Sequence, residues 1–464
     1  MKRFYPAYFL FLSFLLIFGC STKKDAFLNR NWHGLNTKYN VLYNGKEALA
    51  EGRDALIENY KDDYWEILPV ERLEVKEDAF LPGQTDKNPN FERAEEKAAK
   101  SVQKHGMNIQ GEEKNPQTDE SYLLLGIARY YDLRFVPAME AFNYILYKDA
   151  NANTAHQARI WREKTNIRLE NEEVALKNLK RLLRLENLNN QDYADASAIM
   201  GQAYINQQYL DSAVQRLKIA SSYTKNNEER GRYYYIIGQL YNRLGHKDSA
   251  NYAFQKVIDL NRKVPREYML NAYVEQIRNF DYETQDRLAL LEHLNNLEEN
   301  RENRPFLDKI YREKANFYKE SDSAEARVHY LNKSLRTPSE DKNLKALNYE
   351  DLAVIAFDAT QYKIAGAYYD STLVNLKENT KRHRIISKKR ENLKDVIKYE
   401  TIAQRNDSIL TLVNMPEAER VAYFTKFTDS LRALEEASRE KEKLQALQKL
   451  ANSGVGAGLN TSFV

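Results

Sequence analysis

The chain has 464 residues, and its 70 Lys+Arg against 67 Asp+Glu leave a net charge of +3, a balance that excludes the broad cationic footprint of a nucleic-acid binder. With 42% hydrophobic and 30% charged residues but only 16 Gly and 10 Pro, and with long helix-forming stretches from Gln117 to Lys449, the composition favours one all-α repeat array over a set of ordinary domains. The lone cysteine excludes an intrachain disulfide, and the 32 tyrosines suit seams between stacked helices, where a ring is buried and a hydroxyl stays wet.

In chain order, Lys2 and Arg3 precede an apolar run over 9–18 and then Ile17-Phe18-Gly19-Cys20. This is the layout of a bacterial lipoprotein leader: charged start, apolar stretch, small residue, cysteine. The run is too short to span a bilayer. Residues 1–19 are therefore read as a signal peptide and Cys20 as the acylated anchor, since each buried methylene of an acyl chain contributes about 0.8 kcal/mol of membrane affinity. Ser21-Thr22 bring no acidic residue of the kind that retains a lipoprotein at the inner membrane, so the expected location is the outer membrane, facing the periplasm.

Residues 20–118 read as a lipid-anchored, mixed pre-repeat segment. The pattern predicts a helix over 37–58, a stretch Tyr64-Trp65-Glu66-Ile67-Leu68-Pro69-Val70 kept from being helical by Pro69, loops at Pro82-Gly83 and Asn88-Pro89, a helix over 91–104 and a loop over 105–117.

Residues 119–383 carry the repeat. A tetratricopeptide-like hairpin needs a small residue on its first helix, Ala twelve positions on, and an aromatic or Leu four further. Leu125-Gly126 leads to Ala138 and Phe142, Met200-Gly201 to Ala213 and Leu217, Ile237-Gly238 to Ala250 and Phe254, and Leu352-Ala353 to Ala365 and Tyr369. Stepping 37–39 residues from Ala138 meets Ala175, Ala213, Ala250, Ala289, Ala326 and Ala365, which predicts about seven hairpins in one α-solenoid. Asp-Ser-Ala recurs at 211–213, 248–250 and 322–324, where Asp and Ser are expected to cap second helices. Residues 384–450 read as a helical capping region and 451–464 as a flexible Gly-rich tail, after which a further region is expected to follow.

No catalytic constellation emerges. His33, His105, His156, His246, His293, His329 and His383 are scattered, with no pair at metal-ligand spacing and no second cysteine to complete a zinc site. Gly106 and Gly111 have phosphate-loop spacing, but Glu112-Glu113 follow where Lys and Ser or Thr are required. The expectation is a non-enzyme with no cofactor, no metal and no small-molecule substrate. Stacked hairpins instead form a concave groove lined by first helices. Counting from the Leu-Gly pairs, its candidate binding residues are Tyr130, Gln202, Asn206, Arg232, Gln239, Asn242 and Arg243, a polar set suited to an extended peptide or a partner helix. The alternative is equally open: these are ordinary surface residues, and partners use the convex side or the pre-repeat segment. The basic run 381–390 reads as a solvated helical face or a docking patch for an acidic partner.

The lipobox, Lys38-Tyr39-Asn40-Val41-Leu42-Tyr43-Asn44-Gly45, Asp63-Tyr64-Trp65-Glu66-Ile67-Leu68-Pro69-Val70 and the degenerate repeats together resemble the SprE/PorW lipoproteins of Bacteroidota, in their N-terminal part. The resemblance implies an outer-membrane lipoprotein serving gliding motility and type IX secretion, linking periplasmic ring components of the PorK/PorN (GldK/GldN) type to the translocon, with Cys20 as the lipidated residue. Two other readings compete: a SusD-like nutrient-binding lipoprotein, for whose long loop insertions the 37–39-residue phase leaves no room, and an unrelated envelope-assembly scaffold.

Overall fold

A computed structural model describes residues 21–75, 88–148, 151–185 and 187–453; the leader, Cys20, the Pro82-Gly83 loop and the tail beyond Ser453 lie outside the described residues. The chain forms two compact units that divide between Ser339 and Glu340.

The first unit opens with an unbroken helical run, α1 (Phe27–Asn36), a π-helical stretch (Thr37–Leu42) and α2 (Tyr43–Asn59). The run starts ten residues before the predicted helix because its first part has no apolar period of its own. Tertiary contacts hold it: His33 and Gly34 are buried, Pro116 covers Gly34, and Asn115 donates to the buried Thr37 hydroxyl at 3.1 Å. The next helix, α3 (Pro89–His105), is capped by Asn88, whose side chain accepts the Asn90 N–H. The predicted loop after it contains a small antiparallel ladder, β1 (Asn108–Ile109) with β2 (Glu112–Glu113). Its two-residue turn is Gln110-Gly111, both at positive φ (55° and 87°), the backbone a tight hairpin demands.

Six helical hairpins follow: α4 (Thr118–Tyr131) with α5 (Phe135–Tyr147), α6 (Ala152–Arg168) with α7 (Glu172–Leu185), α8 (Asn190–Asn206) with α9 (Leu210–Tyr223), α10 (Asn227–Leu244) with α11 (Lys247–Asp259), α12 (Arg266–Arg278) with α13 (Arg287–Glu299), and α14 (Leu307–Glu320) with α15 (Ala324–Arg336). Sequential helices pack on one another in a solenoid-like stack, except that α12 and α13 each pack on α14 rather than closely on one another. The small-residue phase is the cause. Phe142 and Phe254, both fully buried, lie flat against Gly126 and Gly238, where a Cβ would come within 2.4 Å of either ring. Leu217 fills the same place against Gly201, and Ala138, Ala175, Ala213 and Ala250 are fully buried between helices.

The turns inside five of the six hairpins, all but the fifth, have a common form that the residue types conceal. Leu133, Glu170, Gln208, Gly245 and Asp322 all sit at positive φ, between 52° and 80°. In each case the next residue's N–H returns to a carbonyl five positions back, as Arg134 to Arg129, Asn171 to Asn166, Tyr209 to Tyr204, His246 to Tyr241 and Ser323 to Tyr318. This is the left-handed closure of a helix C-terminus, and only one of the five residues is the expected glycine. The strain predicts a gain: Glu170→Gly, at an exposed position with φ 60°, is expected to raise stability by about 0.5–1 kcal/mol, read as a higher midpoint in urea or heat.

Two expectations fail locally. In the fifth hairpin α12 and α13 are joined by a longer segment, and the alanine phase slips: Ala289 is exposed and Leu290, Leu294 and Leu297 take the core positions. Ala326 is only half-buried in the sixth, where Leu331 and Ser334 are the buried residues of α15. Nor do the side chains of the Asp-Ser-Ala triplets make capping bonds, although Ser323 holds the N-cap position of α15. The N-cap residues of α9, α11 and α15 are Tyr209, His246 and Ser323, without side-chain capping bonds, because the returning chain of the turn already sets the start of each second helix. Asp211 and Asp248 lie in the first turn, where carboxylates favour the helix dipole.

The second unit holds the seventh hairpin, α16 (Lys342–Asp358) with α17 (Tyr362–Asn375), where Ala353, Ala365 and Tyr369 share one buried cluster. Thr360, at φ 58°, repeats the turn. Then come α18 (Lys381–Asn392), α19 (Lys394–Asn414) and α20 (Glu417–Ser453). Two residues of the basic run on α18 are committed within the unit, Arg382 to Glu350 and Arg390 to Asp370. No helix among the described residues is long and apolar enough to cross a membrane.

Candidate functional site

The concave side of the first unit is not empty. The non-helical stretch predicted around Pro69 runs through it as an extended segment, residues 60–75, gripped by the first helices of successive hairpins. Leu68 is 1% exposed and lies in the hydrophobic core of the third and fourth hairpins, with Tyr64, Ile67 and Val70 packed on the same cluster. Leu73 enters the cluster of the first hairpin. Burying one such leucine is worth about 1.5–3 kcal/mol.

One side chain per hairpin reads the segment. In the second to fifth hairpins the position one beyond the small-residue register of the first helix is Lys164, Gln202, Gln239 and Arg278, spaced 37–39 residues apart. Lys164 donates to Glu71 at 2.5 Å, Gln202 accepts the Val70 N–H at 2.7 Å, Gln239 accepts the Leu68 N–H at 2.9 Å, and Arg278 lies over the Trp65 ring at 4.7 Å. The segment thus runs antiparallel to the order of hairpins, and Lys309 of the sixth lies 5.0 Å over the Tyr64 ring. Gln239 also donates to the Glu66 carbonyl at 2.7 Å, so one carboxamide closes a two-point bond with the peptide backbone.

Two charge networks lock the ends. Arg232 holds Asp62 with both outer nitrogens at 2.7 and 2.8 Å and donates to the Pro69 carbonyl, with both partner side chains 5% exposed. Arg72 joins this cluster through Asp62, Glu228 and Tyr268. Glu71 accepts from Tyr130 at 2.6 Å, Tyr131 at 3.0 Å, Lys164 and Arg168. Burial pushes the Glu71 carboxyl up, but Lys164 and Arg168 outweigh it and hold it at about 2. Burial in turn pulls the Lys164 ammonium down. A cavity of about 490 Å³ lies beside this network, and in it burial, with Glu229 opposite, lifts Asp195 to about 6.

Of the seven groove residues expected from the sequence, Tyr130, Gln202, Arg232 and Gln239 touch the segment directly. Asn206 braces Gln202 by accepting from its amide at 2.8 Å and reaches Glu172. Asn242 bonds Glu275 and Asn279, and with the exposed Arg243 it lines a 270 Å³ cleft next to Trp65. Sequence reasoning missed Lys164, Arg168, Tyr268, Arg278 and Lys309. Lys164 and Arg278 were legible, one position beyond the place the repeat register reserves for the small residue, but Glu163 and Ile277 stand there instead. The histidines are not all scattered: His33 and His105 meet with Nδ1 atoms 3.0 Å apart, and burial, then His33, lowers His105. Among the described residues no group of three or more His, Cys, Asp or Glu could hold a metal.

No protein-family model matches the chain. No curated protein matches it. Solved structures similar to it are tetratricopeptide-type proteins. One is the C-terminal part of a repeat protein of Cytophaga hutchinsonii, at 13% identity and a TM-score of 0.37, covering 64% of this chain and 94% of that one. A second is a tetratricopeptide repeat protein of Parabacteroides merdae, at 15% identity and a TM-score of 0.36, covering 60% and 99%. A third is NprR, solved in complex with its cognate peptide NprX, at 14% identity and a TM-score of 0.33, covering 71% and 99%.

Proposed function

We propose that this chain is a non-catalytic protein-interaction scaffold, tethered to the periplasmic face of an outer membrane through acylated Cys20 and serving type IX secretion and gliding motility. The observation that supports a scaffold most directly is the segment 60–75 in its groove: carboxamide, guanidinium and ammonium groups at one repeated helix position hold an extended polypeptide by its backbone and side chains, the chemistry of peptide recognition rather than of catalysis. With that groove filled by the chain itself, partners dock on the remaining faces. The membrane, the secretion system and the ring and translocon partners rest on the leader pattern and on the resemblance carried by residues 38–45 and 63–70.

Crosslinking in intact envelopes followed by mass spectrometry tests the reading. The expected result is crosslinks to ring and translocon components, lost together with membrane association in Cys20→Ala. Recovery of barrel-assembly factors alone, with all outer-membrane barrels depleted in a deletion strain, would replace it with the envelope-assembly alternative.

A further inference from the structure

The second helices carry a cleft lined by cations. On α7, Lys177, Lys180, Arg181 and Arg184 follow one another at i, i+3, i+4 and i+7, so all four project from one face, and all four are exposed. Arg216 of α9 faces them across a cleft of about 590 Å³, with Asn178, Leu183 and Tyr193 completing its walls. No carboxylate lines it. Among the described residues none of the five cations has an ion-pair partner, whereas Lys164, Arg168, Arg232 and Arg278 in the groove are all bonded to carboxylates. Five cations therefore line one cleft with no carboxylate among them.

We infer that this cleft docks an acidic segment of a partner protein, an inference that rests on the scaffold reading and gives the partner its chemistry. The size of the stripe decides the class. The eight residues of helix from Lys177 to Arg184 span about 10 Å, which matches three to four residues of extended chain at about 3.3 Å each. A lone phosphate reaches two or three of these cations; a run of Glu or Asp reaches all five, alternate carboxylates turning to the α7 wall and to Arg216. The floor fits a polypeptide as well, since Leu183 and Tyr193 offer an apolar and aromatic seat for a side chain within the acidic run. None of these residues contributes to the hold on residues 60–75, so docking leaves the groove intact.

The test uses the full chain and fluorescein-labelled octaglutamate, followed by fluorescence anisotropy. Binding is expected at about 50 mM salt and to weaken steeply by about 300 mM. Lys180→Glu with Arg181→Glu is expected to weaken it about tenfold or more, while Lys388→Glu with Lys389→Glu on α18 changes it less than twofold. Unchanged melting of both variants would establish that exposed charges, not folding, were altered. Equal loss in the two variants, or no loss in the first, overturns the inference. So does a result in which the α7 variant fails to sediment with phosphatidylglycerol vesicles yet binds octaglutamate as before, which would make the surface a membrane contact. Loss of octaglutamate binding in the α7 variant alongside envelope crosslinks that contain no secretion component would leave the cleft standing and defeat only the proposed system.

Discussion

Glu71→Ala is expected to cost about 2–4 kcal/mol at neutral pH and to release residues 64–75 from the groove. The carboxylate accepts from four donors, and its removal leaves Lys164 and Arg168, 21% and 22% exposed, facing each other with no counter-charge. An uncompensated pair of this kind is costlier than the lost bonds alone, and partial exposure keeps the figure below that of a fully buried pair. Glu71→Gln separates charge from shape, because the amide keeps an acceptor for Tyr130. The pH dependence gives a second readout. A carboxyl held at about 2 in the folded chain, against about 4.5 unfolded, contributes stability that is fully present above the unfolded value and lost as pH falls through the folded one. The wild-type chain should therefore weaken between about pH 5 and pH 2, and Glu71→Gln should flatten part of that limb. Hydrogen exchange is decisive: amides of Leu68 and Val70 should exchange much faster in Glu71→Ala than in the parent. An alanine variant with unchanged exchange there would show that the segment is not held by this network.

Much of the fold could be read from the chain because its cause is local and repeated. A small residue, an alanine twelve positions on and a large side chain four beyond are short-range facts, and they recur where Gly126, Gly201, Gly238 and Ala353 stand. The place of Gln202 and Gln239 beside the segment has the same cause: each follows the glycine by one position, so the register that builds the hairpin also aims the carboxamide. What was not legible depends on geometry the residue types do not announce. Leu133, Glu170, Gln208, Asp322 and Thr360 close their turns in a left-handed backbone that sequence patterns assign to glycine. The slip at Ala289 follows from a longer loop, which an alanine count cannot weigh. The occupant of the groove was hidden by sequence distance. Pro69 announces a stretch that cannot be helix, but nothing local reveals that Leu68 bonds a residue 171 positions away.

Gly238→Ala isolates the device on which this stacking depends. Alanine is the better helix former by about 1 kcal/mol, so by propensity alone the change should stabilise α10. Contact reverses the sign. The new methyl would stand 2.4 Å from Phe254 Cε1 and 2.6 Å from Cζ, and the ring has nowhere to retreat: it is fully buried and meets Tyr235 edge-on at 5.4 Å. Either Phe254 leaves its rotamer or α11 moves away from α10, at an overpacking cost of about 2–4 kcal/mol that leaves a net loss of about 1–3 kcal/mol. Another hairpin indicates the rescue, for Gly201 accepts a leucine, Leu217, at the same place. Phe254→Leu alone should cost about 1 kcal/mol, yet added to Gly238→Ala it should recover part of the loss, giving a favourable coupling of more than about 1 kcal/mol. Strict additivity in urea denaturation would mean that the glycine is not there to admit the ring. The consequence extends to the groove, since Gln239 is the next residue and its carboxamide sits on the Leu68 N–H. A displaced α10 must loosen that bond, so exchange at Leu68 should rise in the single variant and fall back in the double, tying the spacing of helices to the grip on the segment they enclose.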